Sequence, residues 1–457
     1  MIRAIVINLC ATISFASAFA EADDSLSARD EFRVWAGANA RRLATVESRD
    51  DQSDLAPLGK LIGPARVVAM GETIHGAHEE MALRNRFIRY LVTECHFTTV
   101  ALEAGLSQSK TLYDHVLGRI EATPEEITSA FTYGFGAFEE NHALVRWLRE
   151  YNAGVAPERR VRLYGFDLAG SYFDNAHRSL DAVLAYLDRV ASKEAPTIRA
   201  DYAAIQGKVD TTAFLKLSQP EQDRVAAKLV DLSALIRRNR VGYVAASSRD
   251  DYEWALRQSV ASVQDSAFQR ALPRDFGLGK TKGGGFVGWD AAMNQRDATM
   301  AENVAWILDR EGPKGKMFLY AHNYHVQSSQ QPKSNDSGEA SAAMEGGFPL
   351  GTNLRSMLGD ELVVLGSQCG EYEGWPAEFR TRVAPPTRGS LKDLAGSAGI
   401  PLYLADLRQI REPGPLRNWM HGVHVEGIFA NRNVVPARAY DALIFQGILT
   451  PARKRQP

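Results

Sequence analysis

The chain predicts a layered α/β fold: a mostly parallel sheet flanked by helices and interrupted by a helical insertion. Three observations point there. Short apolar runs bounded by turn signals recur along the 457 residues. Stretches of helical spacing stand between the early runs, an alternation that implies parallel pairing. A long middle stretch, rich in Ala, Leu, Arg and Asp, holds helical periodicity without strand signals.

In chain order, residues 1–20 have the layout of a secretory signal peptide. Arg3 supplies a positive start, Ala4 to Ala18 is apolar or small, and Ala18-Phe19-Ala20 fits a cleavage site ahead of Glu21, Asp23 and Asp24. The apolar part is too short to span a bilayer, and no later stretch reaches that length. An exported, periplasmic or secreted protein without stable membrane insertion is expected, with an uncleaved N-terminal anchor as the alternative.

Five runs read as buried strands: Arg66–Met70, Thr98–Leu102, Val161–Gly165, Met317–Ala321 and Glu361–Leu365. Pro401–Leu404 and Ala442–Phe445 are two more candidates. Glu79–Thr93 has helical spacing, with Leu83, Phe87, Ile88 and Leu91 on one face, and a second helix is expected over Asn141–Asn152. Residues 21–170 form the first part of the expected α/β domain, 171–290 the helical insertion, and 291–457 the second part. Within the insertion Leu180, Val183, Leu184 and Leu187 share a face. Ser218-x-x-Glu221 resembles a capping box for a helix carrying Val225, Leu229, Leu232 and Leu235. Lys280–Gly285 lacks the spacing of a phosphate cradle, and Gln327–Gly347, poor in large apolar residues, reads as a lid or a surface loop.

Composition is that of a globular protein, 45% hydrophobic and 24% charged with net charge −2. That balance, without basic runs, argues against nucleic acid as a partner. Cys95 and Cys369 remain after the leader; each lies among apolar residues and reads as a buried free thiol.

Candidate chemistry collects where strands end. Glu72 and His75 follow the first run in a Gly-Glu-Thr-Ile-His-Gly turn, Glu103 follows the second, Asp167 ends the third and His322 the fourth. In a parallel sheet such ends share one edge, where titratable groups converge. Arg84 reads as a partner for Glu72 or Glu103, or as a ligand for a substrate oxygen. His78 opens a helix and reads as solvent-facing. The pairs His75/His78 and His322/His325 also fit two nitrogens each on a metal ion, with Glu72 or Glu103 as an oxygen ligand. No G-x-S-x-G elbow supports a serine triad.

These motifs together resemble the erythromycin esterase family: Gly71-Glu72-Thr73-Ile74-His75-Gly76, Glu103, Arg84-Asn85-Arg86-Phe87, Arg296-Asp297 with Met300-Ala301-Glu302-Asn303, Ala321-His322-Asn323-Tyr324-His325 and Gly351-Thr352-Asn353-Leu354. The likeness spans roughly Arg66 to Gly366, and several motifs in order make it specific. It implies a cofactor-free hydrolase that cleaves a small-molecule ester or lactone, a macrolide in the family's name, with no covalent serine intermediate. In that scheme His75 is the general base, and Glu72 and Glu103 orient it or the water. His322, helped by Arg84 and His325, faces the oxyanion or the leaving alkoxide; Asp167 is placed among the substrate-binding residues. The resembling fold class includes haem-associated proteins, which keeps a metal- or haem-binding role for the histidine pairs as the alternative. Oligomeric state is left open.

Overall fold

A computed structural model describes residues 26–169, 175–272, 289–330, 347–376, 388–426 and 433–455. The expected leader and Lys280–Gly285 lie outside these, as does most of Gln327–Gly347. The chain forms two compact units, Met1–Cys95 with Tyr320–Arg453 and His96–Leu319 with Lys454–Pro457. Its strands are β1 (Arg41–Arg42), β2 (Val67–Glu72), β3 (Thr99–Gly105), β4 (Arg162–Asp167), β5 (Met317–His322), β6 (Leu362–Tyr372), β7 (Leu402–Asp406), β8 (His424–Val425), β9 (Asn433–Val434) and β10 (Ala442–Leu449). All seven expected runs are strands.

In the first unit the strand order is β1-β7-β10-β6-β2-β5, and β8 pairs separately with β9. β6 runs parallel to both β10 and β2. β7 departs from the parallel expectation: it is antiparallel to β10 and to β1. All six residues of β2 are buried, and so are those of β5, which explains why both read as continuous apolar runs rather than alternating ones. The helix His78–Cys95 follows the β2 turn. Its expected apolar face, Leu83, Phe87, Ile88 and Leu91, is buried, but so are His78, Glu80, Arg84 and Arg86. Charged side chains buried that densely need partners. Arg86 finds Asp54 and the Thr45 carbonyl, and the others belong to the site below. Neither Cys369 nor Cys95 forms a disulfide; Cys369 is buried, and Cys95, at the end of this helix, is only half-buried, because the last turn reaches the surface.

In the second unit β3 pairs parallel with β4, and the register slips between Leu102 and Gly105. The strand carries an extra residue there, a bulge that re-aims the side chain it contains, Glu103. Gly165 of β4 allows this close approach: a Cβ on it would lie 2.3 Å from the Ala104 carbonyl oxygen. The insertion is helical from His177–Val190 to Arg249–Ala271. Leu180, Val183, Leu184, Leu187, Val225, Leu229 and Leu232 form one buried core, with Leu235 packed against it. The capping box is formed, with Ser218 and Glu221 exchanging side-chain and backbone contacts ahead of the helix Gln219–Arg238.

Candidate active site

The first unit builds its cluster around a single turn. β2 ends at Glu72, and the next five residues carry the chain into the helix His78–Cys95. Two glycines shape this passage. Gly76 takes a left-handed φ of 83°, open to glycine at little cost. Gly71 is required for space: a Cβ there would lie 2.1 Å from the Asn323 Oδ1. The first glycine of one motif therefore makes room for the asparagine of the other. Asn323 in turn bonds the Ser367 carbonyl and amide on β6.

His75 stands at the mouth of this turn with 41% of its side chain exposed, while the Glu72 side chain is 5% exposed. The His75 Nδ1 lies 2.5 Å from Glu72 Oε1. With Glu72 ionised, Nδ1 carries the proton and donates it, so the lone pair of the neutral ring sits on Nε2. The other Glu72 oxygen accepts the Tyr320 hydroxyl at 2.6 Å. Burial and the Glu72 charge push the Tyr320 phenol well above its ordinary value, so it stays a donor. Tyr320 and His322 are two apart on β5 and share a face.

His322 packs edge-on to His75, ring centroids 5.2 Å apart. Its Nδ1 accepts the Tyr324 amide at 3.1 Å, which leaves the proton on Nε2, and Nε2 donates to the Thr73 carbonyl at 3.0 Å. Both ring nitrogens are thus held by backbone. To give a proton to a leaving group, His322 would exchange the Thr73 carbonyl for it.

Behind the turn lies Glu80, which the sequence reading passed over. It is 1% exposed. Oε1 accepts the Thr73 amide at 2.7 Å, and Oε2 the Ile74 amide at 3.4 Å. Burial, with the nearby Glu72 charge second, pushes its carboxyl up to about 8. Arg84 is buried one turn further on. Its guanidinium bonds Asn85 Oδ1 at 2.9 and 3.1 Å and lies 4.9 Å from the Tyr320 ring centre. His78 is buried, contrary to the solvent-facing expectation, because Nε2 sits 3.1 Å from Glu47 and 3.0 Å from Arg453. His325 is buried in the short helix Asn323–Val326, against Tyr324.

The second unit holds a cluster of another kind. Arg296, on the helix Trp289–Glu311, reaches Glu103 Oε1 at 2.8 Å and Asp167 at 2.6 and 3.0 Å. Asp167 is fully buried and also accepts the Tyr133 hydroxyl at 2.6 Å and the Leu168 amide at 2.7 Å. With both oxygens so engaged, Asp167 anchors Arg296, and the substrate contact expected of it has no exposed oxygen to use. Tyr133 itself adopts a left-handed φ of 61°, a conformation costly for a bulky residue.

Among the described residues, neither histidine pair acts as a pair. His75 Nδ1 is bound to Glu72, His78 Nε2 contacts Glu47, and His322 spends both nitrogens on backbone.

The erythromycin esterase family matches residues 92–446 of this chain. The chain belongs to the erythromycin esterase family. An Escherichia coli erythromycin esterase type II is 27% identical over 418 residues, covering 87% of this chain and 92% of the relative. A Bacillus cereus protein of solved structure superposes with a TM-score of 0.74 at 21% identity, covering 94% and 99% of the two chains. An erythromycin esterase mutant crystallised in an open conformation gives a TM-score of 0.65 at 16% identity, covering 91% and 98%. These two structures speak for the fold, which is that of the family. Membership points to a hydrolase. Among the described residues no helix is long and apolar enough to cross a membrane.

Four residues of these clusters escaped the sequence reading: Tyr320, Glu80, Tyr133 and the pairing role of Arg296. Tyr320 was recoverable from its even spacing to His322. Nothing in the sequence separated buried Glu80 from Glu79, which instead caps Thr450.

Proposed function

We propose that this chain hydrolyses a carboxylic ester or lactone, with His75 as the general base. The observation that carries this reading is the Glu72–His75 hydrogen bond, anchored on the far side by Tyr320. A half-exposed imidazole held by a buried carboxylate is the arrangement general-base catalysis needs. His75 Nε2 takes a proton from water, and the resulting hydroxide adds to the acyl carbon. The Glu72 carboxylate stabilises the imidazolium that forms. Collapse of the tetrahedral intermediate breaks the bond to the alkoxide oxygen, which takes the proton back from Nε2. His322 keeps the His75 ring upright.

The family resemblance adds Glu103 as a residue that orients the attacking water, with Arg84 and His325 on the side of the developing oxyanion. The substrate is a bulky ester or a macrolide lactone, met outside the cytoplasm once residues 1–20 have directed export. Incubation with a panel of macrolides and simpler lactones, read by mass spectrometry for the gain of one water, tests this directly. The product is expected with the intact chain and absent with a folded His75→Ala variant. Equal turnover by both would overturn the assignment of the base. Metal analysis of the active protein before and after chelation separates this reading from the metal-binding alternative, which predicts a stoichiometric ion and loss of turnover on its removal.

A further inference from the structure

The backbone of Thr73 sits between the two histidine motifs. Its amide donates to Glu80 Oε1 at 2.7 Å, and its carbonyl accepts His322 Nε2 at 3.0 Å. Glu72 precedes it directly, and His75 follows two residues later. Fixing the two peptide groups that flank the Thr73 Cα therefore fixes the direction in which Glu72 leaves β2 and the position of His75, and holds His322 Nε2. We propose that Glu80 is a positioning residue for the hydrolytic centre: from behind the turn it holds the Thr73–Ile74 backbone so that Glu72 and His75 stay in register. This rests on His75 being the general base.

Two features set Glu80 apart from an ordinary cap. The turn has a separate outer clamp, in which Ala452 donates to the Gly76 carbonyl, His78 donates to the Thr450 carbonyl and Glu79 holds the Thr450 amide and hydroxyl. That clamp secures where the helix begins, so Glu80 is not needed to keep the helix in place. It is also a second buried acid close to Glu72, an unfavourable neighbour unless one of the two is neutral. The other groups facing Glu80 do little to offset its charge. Tyr320 on β5, with Cys369 and Tyr372 on β6, present neutral side chains, and each feels Glu80 as a negative neighbour. Lys392 packs 4.8 Å from the Tyr372 ring centre, and Arg84 of the same helix stacks on Tyr320. The carboxyl pushed up to about 8 accords with a neutral acid at neutral pH. A neutral carboxyl keeps its carbonyl oxygen as an acceptor for Thr73 without adding charge beside Glu72. Glutamine has the same shape and the same acceptor.

The test compares Glu80→Gln with Glu80→Leu in the full-length protein. Glu80→Gln is expected to keep kcat within about threefold of the parent at pH 7. Glu80→Leu leaves the two amides without an acceptor and is expected to lower kcat by roughly 10²-fold with little change in KM, the scale of a misplacement of about 1 Å. A readout free of any substrate is the far-downfield proton resonance of the short His75–Glu72 hydrogen bond, assigned by its absence in His75→Ala. It is expected in the parent and in Glu80→Gln, and lost or shifted upfield in a Glu80→Leu protein whose circular dichroism is unchanged. Survival of that resonance in Glu80→Leu would overturn the proposal, as would its loss in Glu80→Gln. If no ester is turned over by the parent, the hydrolase reading fails while the resonance still decides the role of Glu80.

Discussion

Glu72 at the end of β2 and Asp167 at the end of β4 are both buried carboxylates at the tip of a parallel strand, yet they keep opposite company. Asp167 lies against Arg296, which also holds Glu103, and a phenol and an amide complete its shell. A guanidinium does not give up its proton in this setting, so the second cluster is a fixed arrangement of charge. Glu72 has an imidazole on one oxygen, a phenol on the other and a second acid behind it. Each of those neighbours can change its protonation or depends on a group that can. A buried carboxylate at the same place in a strand therefore faces a fixed cation in one unit and an imidazole in the other, and the difference lies in the partner.

The sharpest way to break this comparison is to remove the charge on the active side. Glu72→Gln keeps the shape but cannot stabilise an imidazolium, and its amide nitrogen, turned toward His75, would favour the wrong tautomer. Turnover is expected to fall by roughly 10³- to 10⁴-fold, as when the orienting carboxylate of a comparable dyad is neutralised. Steady-state kinetics on a protein of unchanged circular dichroism gives the answer. A loss under tenfold would mean that Glu72 is as structural as Asp167.

On the other side the largest effect should appear in stability. Arg296→Met strands Glu103 and Asp167 as buried acids without their cation. Losing one partner of a buried ion pair costs about 3–5 kcal/mol, and denaturant unfolding should show it. Adding Asp167→Asn should recover part of that loss, because one of the stranded charges is gone. If Arg296→Met unfolds at the parental midpoint, the second cluster is not the rigid ion pair its distances describe.

Much of this was legible beforehand, for a physical reason. Strands buried on both faces leave long apolar runs, so all seven were visible. An ionisable residue directly after such a run must sit at a strand end, which located Glu72, Asp167 and His322; Glu103 instead lies inside β3, at a bulge that left no trace in the sequence. The antiparallel course of β7 was hidden because pairing direction is fixed by partners far away in the chain. Partner choice was hidden for the same reason. His78 and His75 look equivalent in sequence, but Glu47 and Arg453 reach one and Glu72 the other. Glu80 was hidden because a helix rich in buried charge does not show which charges are inward.

Glu80 also yields a prediction that needs no substrate. In the unfolded chain it ionises near its ordinary 4.5, whereas the folded protein holds the proton up to about 8. Between those values the native state binds more protons than the unfolded one, so this residue makes stability fall as pH rises. The contribution is fully favourable below about pH 4.5 and is lost on the way to about pH 8. Glu80→Gln removes the dependence. It should therefore stabilise the protein at pH 7.5 relative to pH 5.5, on the order of 2 kcal/mol from one and a third kcal/mol per pH unit. Unfolding midpoints at the two values measure it, and an identical pH slope in both proteins would contradict the neutral acid.

The smallest expected effect is the most local. Tyr320→Phe removes one hydroxyl from a site 4% exposed and leaves the ring, with Arg84 still stacked on it. What is lost is a single hydrogen bond of 2.6 Å to a charged oxygen, worth about 1.5 kcal/mol. That is roughly a tenfold change if the bond fixes the carboxylate for His75. The loss should fall on kcat with KM unchanged, because the hydroxyl acts through Glu72. Tyr133→Phe makes the matching change in the second cluster, where Arg296 still holds Asp167 through two nitrogens. It should leave kcat within about threefold, since the guanidinium alone keeps the carboxylate in place. Equal losses in the two variants would mean that the phenols play the same part in both clusters, and that the contrast between fixed and exchangeable charge does not extend to the groups that frame it.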